Sequence, residues 1–408
     1  MDMERHIDVH TTVAGRDVLA GTLFAHRGRL TFRYDAAYLT DAQSFDLAPS
    51  LPRSSAPFSF AGLGPLSDSA PDRWGRRIIA RSLKRARVSE IEYLLGVNDE
   101  TRQGATRFFM DGRPAAGDEG VPVLTDLPAL LNTADAIVED RDVPDRDLRR
   151  LYRATGSLGG ARPKASVKDE GLLWMAKFPK PRGDEWDVIG WEAATLDLAR
   201  SVGLTVPRSR TLSIKDADGR HRTVLLTCRF DRKWDDDGGL AARIPYISAM
   251  TALDARDGDG GDWLDLVEFT RVSGGDTHEL WKRALFGSAI GNCDDHLRNH
   301  GFLRMGSAWK LSPAFDLNPE PWYEDAEDVH QLSLFGDPVV QVESLMTEES
   351  LNLFGVSKAE ARQWCSTLYD ALRTDLPKAI HVRRLDSRSV EVMSSRFDHA
   401  IEQLSAFR

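Results

Sequence analysis

Three polar side chains in the C-terminal half have types and a spacing suited to chemistry. Asp294 and Asn299 lie five residues apart in GNCDDHLRNHGFL (291–303), and Asp316 follows seventeen residues later in LSPAFDLNP (311–319). A carboxylate such as Asp294 can orient a hydroxyl group and accept its proton. The amide oxygen of Asn299 and the carboxylate of Asp316 are ligands that suit Mg²⁺ held against phosphate groups. The spacing therefore predicts phosphoryl transfer.

The same spacing is typical of protein kinases, in which the second metal-binding Asp lies beyond the next strand. Here GFLRM (301–305) and AWKLSP (308–313) read as two short strands, so Asn299 would end a loop and Asp316 would follow a strand. Two polar loops are the alternative interpretation, because Asp and Asn are common in turns.

A glycine-bearing turn lies upstream, in ATGSLGGARPKASV (154–167). Its backbone N–H groups could bind phosphates, and Gly159 and Gly160 allow a close approach. The turn is not a Walker A motif, because the Gly-Lys-Ser/Thr ending is absent. A flexible hairpin is the alternative interpretation of the turn alone.

Lys177 follows this turn in a strand-like run (172–178), where it could contact ATP phosphates as a kinase strand lysine does. Glu192, in the helix-like stretch 191–204, could pair with it. Taken alone, Lys177 also fits a solvated lysine on an edge strand. The order of turn, lysine, glutamate, Asp–Asn and Asp is the kinase order, and this joint occurrence favours a kinase. The predicted fold is α+β and protein-kinase-like, with two lobes.

The motifs together resemble the HipA family of serine/threonine kinases, the toxins of HipBA toxin–antitoxin modules. The matching stretches, in chain order, are SDSAPDRWGRR (67–77), GSLGGARPKAS (156–166), MAKFP (175–179), RFDR (229–232), NCDDHLRN (292–299) and SPAFDLNP (312–319). The resemblance covers nearly the whole chain.

The resemblance implies a role for each matching position. It makes Asp294 the catalytic aspartate, Asn299 and Asp316 the metal ligands, and Ser157 the site of autophosphorylation. The positions implied to bind ATP are Gly159, Gly160, Ala161, Arg162, Pro163, Lys164, Lys177, Cys228, Arg229, Phe230, His296, Asn299, Phe315 and Asp316. Within that set, residues 159–164 form the phosphate loop and residues 228–230 form the hinge beside adenine.

Three departures from the family pattern stand out. The hinge position that often holds Glu is Cys228, although an adenine contact made through the backbone would survive this change. The tripeptide that begins at Asp316 reads Asp-Leu-Asn, so an Asp-Phe-Gly flip is not assumed. Arg162 and Pro163 could alter how far the phosphate loop moves.

The resemblance also implies cofactors and partners. The cofactors are ATP and Mg²⁺. The partners are a HipB-like helix-turn-helix antitoxin and operator DNA, which is contacted mainly through that antitoxin. The substrate is a protein, and aminoacyl-tRNA synthetases are candidates. A small-molecule phosphotransferase and a non-catalytic pseudokinase binding module are the alternatives. The serine-headed loop and RFDR favour a protein kinase over the first, and the intact set of Lys177, Asp294, Asn299 and Asp316 speaks against the second.

Composition is that of ordinary globular material. The chain has 408 residues, 41% hydrophobic and 28% charged, and a net charge of −10, which argues against strong general affinity for nucleic acid. No apolar run approaches the roughly 20 residues that span a bilayer. The three cysteines show no paired or metal-binding spacing, so a cytoplasmic location is expected.

The patterns along the chain predict three parts. Residues 1–100 form an N-terminal HipA-type subdomain that begins with antiparallel strands and contains a basic helix at 72–87, capped by one of Ser67, Asp68 or Ser69. Residues 101–250 form the strand-rich nucleotide-binding lobe. Residues 251–408 form the helical catalytic lobe, because apolar residues recur there at three- and four-residue spacing.

Overall fold

The computed structural model describes residues 5–26, 28–116, 120–157, 160, 162–235 and 239–408. Its first part is an antiparallel sheet with strand order β4-β3-β2-β1-β5-β6, with three helices. The strands are β1 (Arg5–Val13), β2 (Arg16–His26), β3 (Arg29–Tyr34), β4 (Phe58–Ala61), β5 (Arg107–Met110) and β6 (Arg113–Pro114), and the helices are α1 (Ala36–Thr40), α2 (Arg73–Ser82) and α3 (Glu90–Leu95). The expected N-terminal hairpins are confirmed, and residues 107–114 also join this sheet.

The basic helix differs from the prediction in its length and its cap. It begins after Asp72, whose carboxylate accepts a hydrogen bond from the Gly75 backbone at 2.6 Å. Residues Gly64–Ser69 form a separate 3-10 helix, so Ser67, Asp68 and Ser69 cannot cap α2. Asp68 instead accepts hydrogen bonds from the backbone and hydroxyl of Ser248. The predicted cap was therefore wrong, because the residues proposed for it already belong to another element.

The second part contains a four-stranded sheet with order β7-β8-β10-β9. Its elements are α4 (Leu127–Val138), α5 (Asp145–Arg153), β7 (Lys164–Asp169), β8 (Leu172–Lys177), α6 (Val188–Ser201), β9 (Ser209–Lys215) and β10 (His221–Cys228). The short strands β11 (Arg232–Trp234), β12 (Leu240–Arg243) and β13 (Tyr246–Ser248) follow, and then α7 (Ala249–Ala252). Strand β8 pairs on both sides, with β7 and with β10, so Lys177 is not on an edge strand.

The third part is mainly helical, as the apolar spacing predicted. Its helices are α8 (Trp263–Val272), α9 (Thr277–Ile290), α10 (Val342–Leu345), α11 (Glu348–Phe354), α12 (Lys358–Arg383) and α13 (Ser387–Ser405). Its strands are β14 (Gly261–Asp262), β15 (Gly301–Met305), β16 (Ala308–Leu311) and β17 (Leu332–Ser333). The two expected strands after the Asp–Asn motif are β15 and β16, which pair with each other, while β15 also pairs with β13.

Two apolar cores hold these layers together. The larger one joins the N-terminal sheet, α6 and the C-terminal helices. The smaller one packs α2, α4 and α5 against the four-stranded sheet. None of the helices in the described part of the chain combines the length and apolar character that a membrane crossing requires.

Candidate active site

A buried lysine and two carboxylates form the centre of the site. Lys177 Nζ, at the end of β8, lies 2.6 Å from Glu192 Oε1 of α6 and 2.7 Å from Asp316 Oδ1. Lys177 is 6% exposed and Glu192 is 2% exposed, so this charge network is largely shielded from water. The expected pairing of Lys177 with Glu192 is therefore present, and it brings the sheet, α6 and the segment after β16 to one point.

The charges in this network favour an ionised Asp316. Burial opposes ionisation of this carboxyl group, but Lys177 outweighs burial and holds the pKa of Asp316 well below its usual range. Burial would lower the pKa of Lys177, yet the two carboxylates raise it overall, so the lysine stays charged. Burial raises the pKa of Glu192 despite the attraction of Lys177. Asp316 thus carries the negative charge that a metal ion requires.

The backbone around Asp316 holds its carboxylate in place. Asp316 adopts the left-handed region (φ +60°), which Asp tolerates better than most residues. Asn318 donates from its side-chain Nδ2 to Asp316 Oδ1 at 2.8 Å, and its backbone N–H donates to Asn292 Oδ1 at 3.2 Å. The intervening Leu317 carbonyl accepts a hydrogen bond from Thr195 of α6. The Asp-Leu-Asn turn is thereby tied to α6 and to residues 292–299, the candidate catalytic loop.

The loop after α9 carries the other predicted residues. Helix α9 ends at Gly291 in the left-handed region (φ +65°), a position that favours glycine, and the chain then turns into residues 292–299. Asn299 ends a short 3-10 helix (Leu297–Asn299), and its side-chain Nδ2 donates to the Asp294 carbonyl at 3.2 Å. That bond uses the amide nitrogen of Asn299 and leaves its oxygen for a metal ion.

Asp294 itself lies at the solvent-exposed side of this loop, with its carboxyl group partly enclosed. Partial burial raises the pKa of Asp294, Asp316 and Asp295 add to the rise, and His296 opposes it. A carboxylate with a raised pKa is a stronger base toward a hydroxyl group. The next residue, Asp295, is buried and lies 2.9 Å from His300 Nε2, which fixes the other side of the loop.

Two described residues of the phosphate loop, Arg162 and Lys164, each form an ion pair. Arg162 contacts Asp184 through Nη1 and Nη2, at 2.7 and 3.1 Å. Lys164 Nζ lies 2.8 Å from the Asp72 cap of α2. Gly160 has φ +93°, and a Cβ there would lie 2.7 Å from Lys164 Nζ, so this position needs glycine. The predicted positions Gly159 and Ala161 lie outside the described residues, and Pro163 joins the loop to β7 by accepting from the Phe178 backbone.

Ser157, at the head of this loop, is 4% exposed. Its Oγ accepts a hydrogen bond from the Gln103 backbone N–H at 2.9 Å. Two further bonds join the same region: Thr101 donates to the Thr155 carbonyl, and Asn98 donates to the Arg153 carbonyl. The 98–104 segment of the N-terminal part therefore supports the start of the phosphate loop.

The RFDR motif (229–232) also binds the 98–104 segment. Arg229 Nε donates to Asp231 Oδ1 at 2.8 Å, and its Nη1 donates to the Thr101 carbonyl at 2.8 Å. Arg232 donates to Asp231 and to the Arg102 carbonyl, while the Gly104 N–H donates to Asp231 at 2.7 Å. The Arg229 side chain is thus committed to structure, and only its backbone could serve a nucleotide.

The remaining predicted positions are two aromatic residues, a cysteine and a histidine. Phe230 and Phe315 stack at a ring-centroid distance of 5.7 Å, which joins the hinge to the residue before Asp316. Cys228 ends β10, and its backbone N–H donates to the Arg208 carbonyl. Among the described residues His296 Nδ1 is buried with no hydrogen-bond partner. This nitrogen is therefore able to bond a polar group of a ligand.

These residues fit Mg²⁺ and ATP. Within the described ranges no group of three or more His, Cys, Asp or Glu side chains comes together as a self-sufficient metal centre would. Mg²⁺ in phosphoryl-transfer sites needs only one or two protein ligands, because phosphates and water supply the rest. Asn299 and the ionised Asp316 are such ligands, and Lys177 beside Asp316 can meet a phosphate.

Several functional residues were not identified from sequence. Asn318 and Asn292 position Asp316, Asp184 holds Arg162, and Gln103 holds Ser157. Asn318 and Asn292 carried a local signal, since they stand in the Asp-Leu-Asn tripeptide and at the start of NCDDHLRN (292–299). The others act across long separations in the chain, which no local pattern reveals.

The lobes and the Lys–Glu–Asp network define a kinase-like α+β protein. A model described as the HipA-like C-terminal domain matches residues 156–380, and one described as the HipA N-terminal domain matches residues 11–105. The chain belongs to the HipA family.

Two relatives agree with that assignment. The protein of Sinorhizobium fredii (strain NBRC 101917 / NGR234) named "Putative kinase Y4mE" is 26% identical over 327 residues, which is 73% of this chain and 74% of that one. The HipA chain in a solved complex from Shewanella oneidensis MR-1, described as a toxin–antitoxin system of HipA, HipB and operator DNA, has a TM-score of 0.70 and 16% identity. That likeness covers 98% of this chain and 97% of the other, and it shows a shared fold.

Proposed function

We propose that this protein is an ATP- and Mg²⁺-dependent serine/threonine protein kinase. The observation that carries the proposal is the convergence of Lys177, Glu192 and Asp316 beside the loop of Asp294 and Asn299. Catalysis of phosphoryl transfer is largely positioning and charge stabilisation, and this set supplies both.

Each residue has a distinct task in the proposed reaction. Lys177, held by Glu192, orients the phosphates of ATP. Asp316 and Asn299 would hold Mg²⁺, which neutralises negative charge on the phosphates. Asp294 orients the substrate hydroxyl and accepts its proton as the oxygen attacks the γ-phosphorus, and the bond from that phosphorus to the bridging oxygen of ADP breaks. The raised pKa of Asp294 favours its role as a base.

We further propose that the kinase is the toxin of a toxin–antitoxin pair in the cytoplasm. Its partner would be a HipB-like helix-turn-helix antitoxin that provides most of the affinity for operator DNA. Membership of the HipA family supports this, as does the net charge of −10, which disfavours direct binding to DNA. A cytoplasmic protein would be the target, with aminoacyl-tRNA synthetases as candidates.

Autophosphorylation at Ser157 belongs to the same proposal. The serine lies at the head of the phosphate loop, where a phosphate group would add about −1.5 to −2 charges. Those charges would compete with ATP for the donors of the loop and for Lys177. The modification would therefore switch the kinase off.

The test is phosphoproteomics after induction of the wild-type chain, compared with induction of Asp294→Asn. The proposal expects Ser or Thr sites on a small set of proteins that appear only with the wild type, and a phosphate on Ser157. A transfer assay with γ-labelled ATP tests the alternatives. Label transferred to a small molecule but never to protein would support the phosphotransferase alternative. Nucleotide binding without any transfer would support the pseudokinase alternative.

A further inference from the structure

The last helix of the chain places one buried arginine behind the active site. Arg396 of α13 is 1% exposed. Its Nη1 and Nη2 contact the two carboxylate oxygens of Asp328 at 2.6 and 2.7 Å. Its Nε donates to the Glu320 carbonyl at 2.7 Å, and Nη2 also reaches the Pro321 carbonyl at 3.4 Å. The planar fork of one guanidinium thus fixes both ends of the 320–328 segment.

The same guanidinium packs against the start of the catalytic loop. A Cβ built on Gly291 would lie 2.4 Å from Arg396 Cζ and 2.5 Å from its Nε. Gly291 is the C-cap of α9 and stands three residues before Asp294. This glycine is therefore required twice, for its left-handed backbone and for the close approach of Arg396.

The segment that Arg396 holds begins four residues after Asp316. It returns to the catalytic loop soon after Asp328, where the Gln331 N–H donates to the Cys293 carbonyl at 3.0 Å. Arg396 therefore lies between the chain that leads into Asp294 and the chain that leads away from Asp316.

Neighbouring side chains of α13 reinforce these contacts. Ser395 donates to the Trp322 carbonyl at 3.0 Å, and His399 stacks on the Trp322 ring at 4.2 Å with an interplanar angle of 12°. Phe397 stacks on Trp191 of α6 at 5.2 Å. Trp191 directly precedes Glu192, so α13 contacts α6 as well as Gly291 and the 320–328 segment.

We propose that Arg396 is a positioning residue for phosphoryl transfer, which sets the distance and orientation between Asp294 and Asp316. It touches neither substrate nor metal, and acts through Gly291 on one side and through residues 320–328 on the other. This inference rests on the proposed kinase activity. Its physical reason is that a guanidinium fork fixes direction as well as distance, whereas apolar packing alone would leave both segments free to shift.

The test compares Arg396→Met with Arg383→Met. Arg383 makes the same kind of forked contact, at 2.6 and 2.7 Å, with Asp197, which lies five residues beyond Glu192 on α6, and not with the chain beside Asp294 or Asp316. Both variants lose a buried or half-buried ion pair, so both should melt at a lower temperature. Transfer from γ-labelled ATP to casein, with nucleotide binding measured in parallel, separates positioning from general stability.

The inference expects Arg396→Met to lower kcat on the order of 10- to 100-fold, the effect of misplacing reacting groups by about 1 Å, with unchanged ATP affinity. Arg396→Lys and Asp328→Asn should have kcat values between those of this variant and the wild type. These two variants replace Arg396→Met in the test if it does not fold. Arg383→Met should retain the wild-type kcat at temperatures where it is folded. Equal losses in the two methionine variants, or a wild-type kcat in folded Arg396→Met, would overturn the inference.

Amide hydrogen exchange gives a readout that does not depend on activity. The backbone N–H of Asn292 donates to the Gly287 carbonyl, and that of Asn299 donates to the His296 carbonyl. Both hydrogens should exchange faster in Arg396→Met but not in Arg383→Met. A wild type that transfers no phosphate would defeat the proposed function, while the exchange data would still decide whether Arg396 orders the loop. Unchanged exchange in folded Arg396→Met would contradict the positioning role.

Discussion

The Ser157 hydroxyl accepts a hydrogen bond from the Gln103 backbone N–H at 2.9 Å, and the serine is almost completely buried. A hydroxyl in this place cannot meet the γ-phosphate of ATP in another molecule. The proposed autophosphorylation therefore requires Ser157 to leave this position first, and a phosphoserine could not return to it.

The first prediction concerns this contact. Ser157→Glu should lower ATP affinity by about tenfold or more, because a charged side chain cannot occupy the buried site without a partner and the loop is displaced. Ser157→Ala should bind ATP close to normally, since it fits the same space. Titration with a fluorescent ATP analogue measures both. Equal affinity in the two variants would show that the loop position does not control nucleotide binding.

The second prediction concerns the buried lysine network. Lys177→Met should destabilise the fold by about 3–5 kcal/mol, because it leaves Glu192 as an uncompensated buried charge. Adding Glu192→Leu should restore much of that stability, since an apolar pair replaces an ionic one. Neither variant should transfer phosphate. Urea unfolding and a transfer assay give the two readouts, and activity that recovers together with stability would contradict a direct role for Lys177.

The third prediction concerns the hinge network around Asp231. Burial would raise the pKa of Asp231, but Arg229 and Arg232 outweigh burial and hold the pKa well below its usual range. The folded-state pKa lies below the unfolded value of about 4, so the stabilisation is present above that pH and is lost as the pH falls below it.

Asp231→Asn should therefore lower the free energy of unfolding at neutral pH by about 3–5 kcal/mol. It should also make stability less dependent on pH below the unfolded pKa. Asp218→Asn serves as the control, because that carboxylate lies in the exposed turn between β9 and β10. An acid-unfolding profile of Asp231→Asn that matches the wild type would refute the assignment.

The fourth prediction concerns DNA. The isolated chain should bind operator-length DNA weakly and with steep salt dependence, because its net charge is −10. Addition of a HipB-like antitoxin should convert this into tight binding at physiological salt. Fluorescence anisotropy across a salt series tests the point. Tight, sequence-specific binding by the isolated chain would count against a partner-mediated contact.

Part of the candidate site could be predicted because its residues lie in short local patterns. The strands β15 and β16 follow from residue types, and the pairing of Lys177 with Glu192 follows from the kinase order of the motifs; the structure contains both. Apolar spacing likewise predicted α8, α9 and α13.

The supporting contacts could not be predicted in this way. The bond from Gly104 to Asp231 spans 127 residues, and Arg396 lies 68 residues from Asp328. A buried Arg reads in the sequence as a surface charge, since nothing local distinguishes the two. The prediction of the α2 cap was wrong for a related reason. Asp68 lies close to the helix in the sequence, but in the fold it is hydrogen-bonded to Ser248.

We propose Asp294 as the catalytic base of a protein kinase. The most direct measurement is transfer of γ-labelled phosphate from Mg·ATP to protein by the wild type and by Asp294→Asn, with ATP affinity measured on the same samples. We expect the wild type to label protein, and Asp294→Asn to lose transfer by about 100-fold or more while binding ATP normally. Near-normal transfer by Asp294→Asn would contradict this proposal.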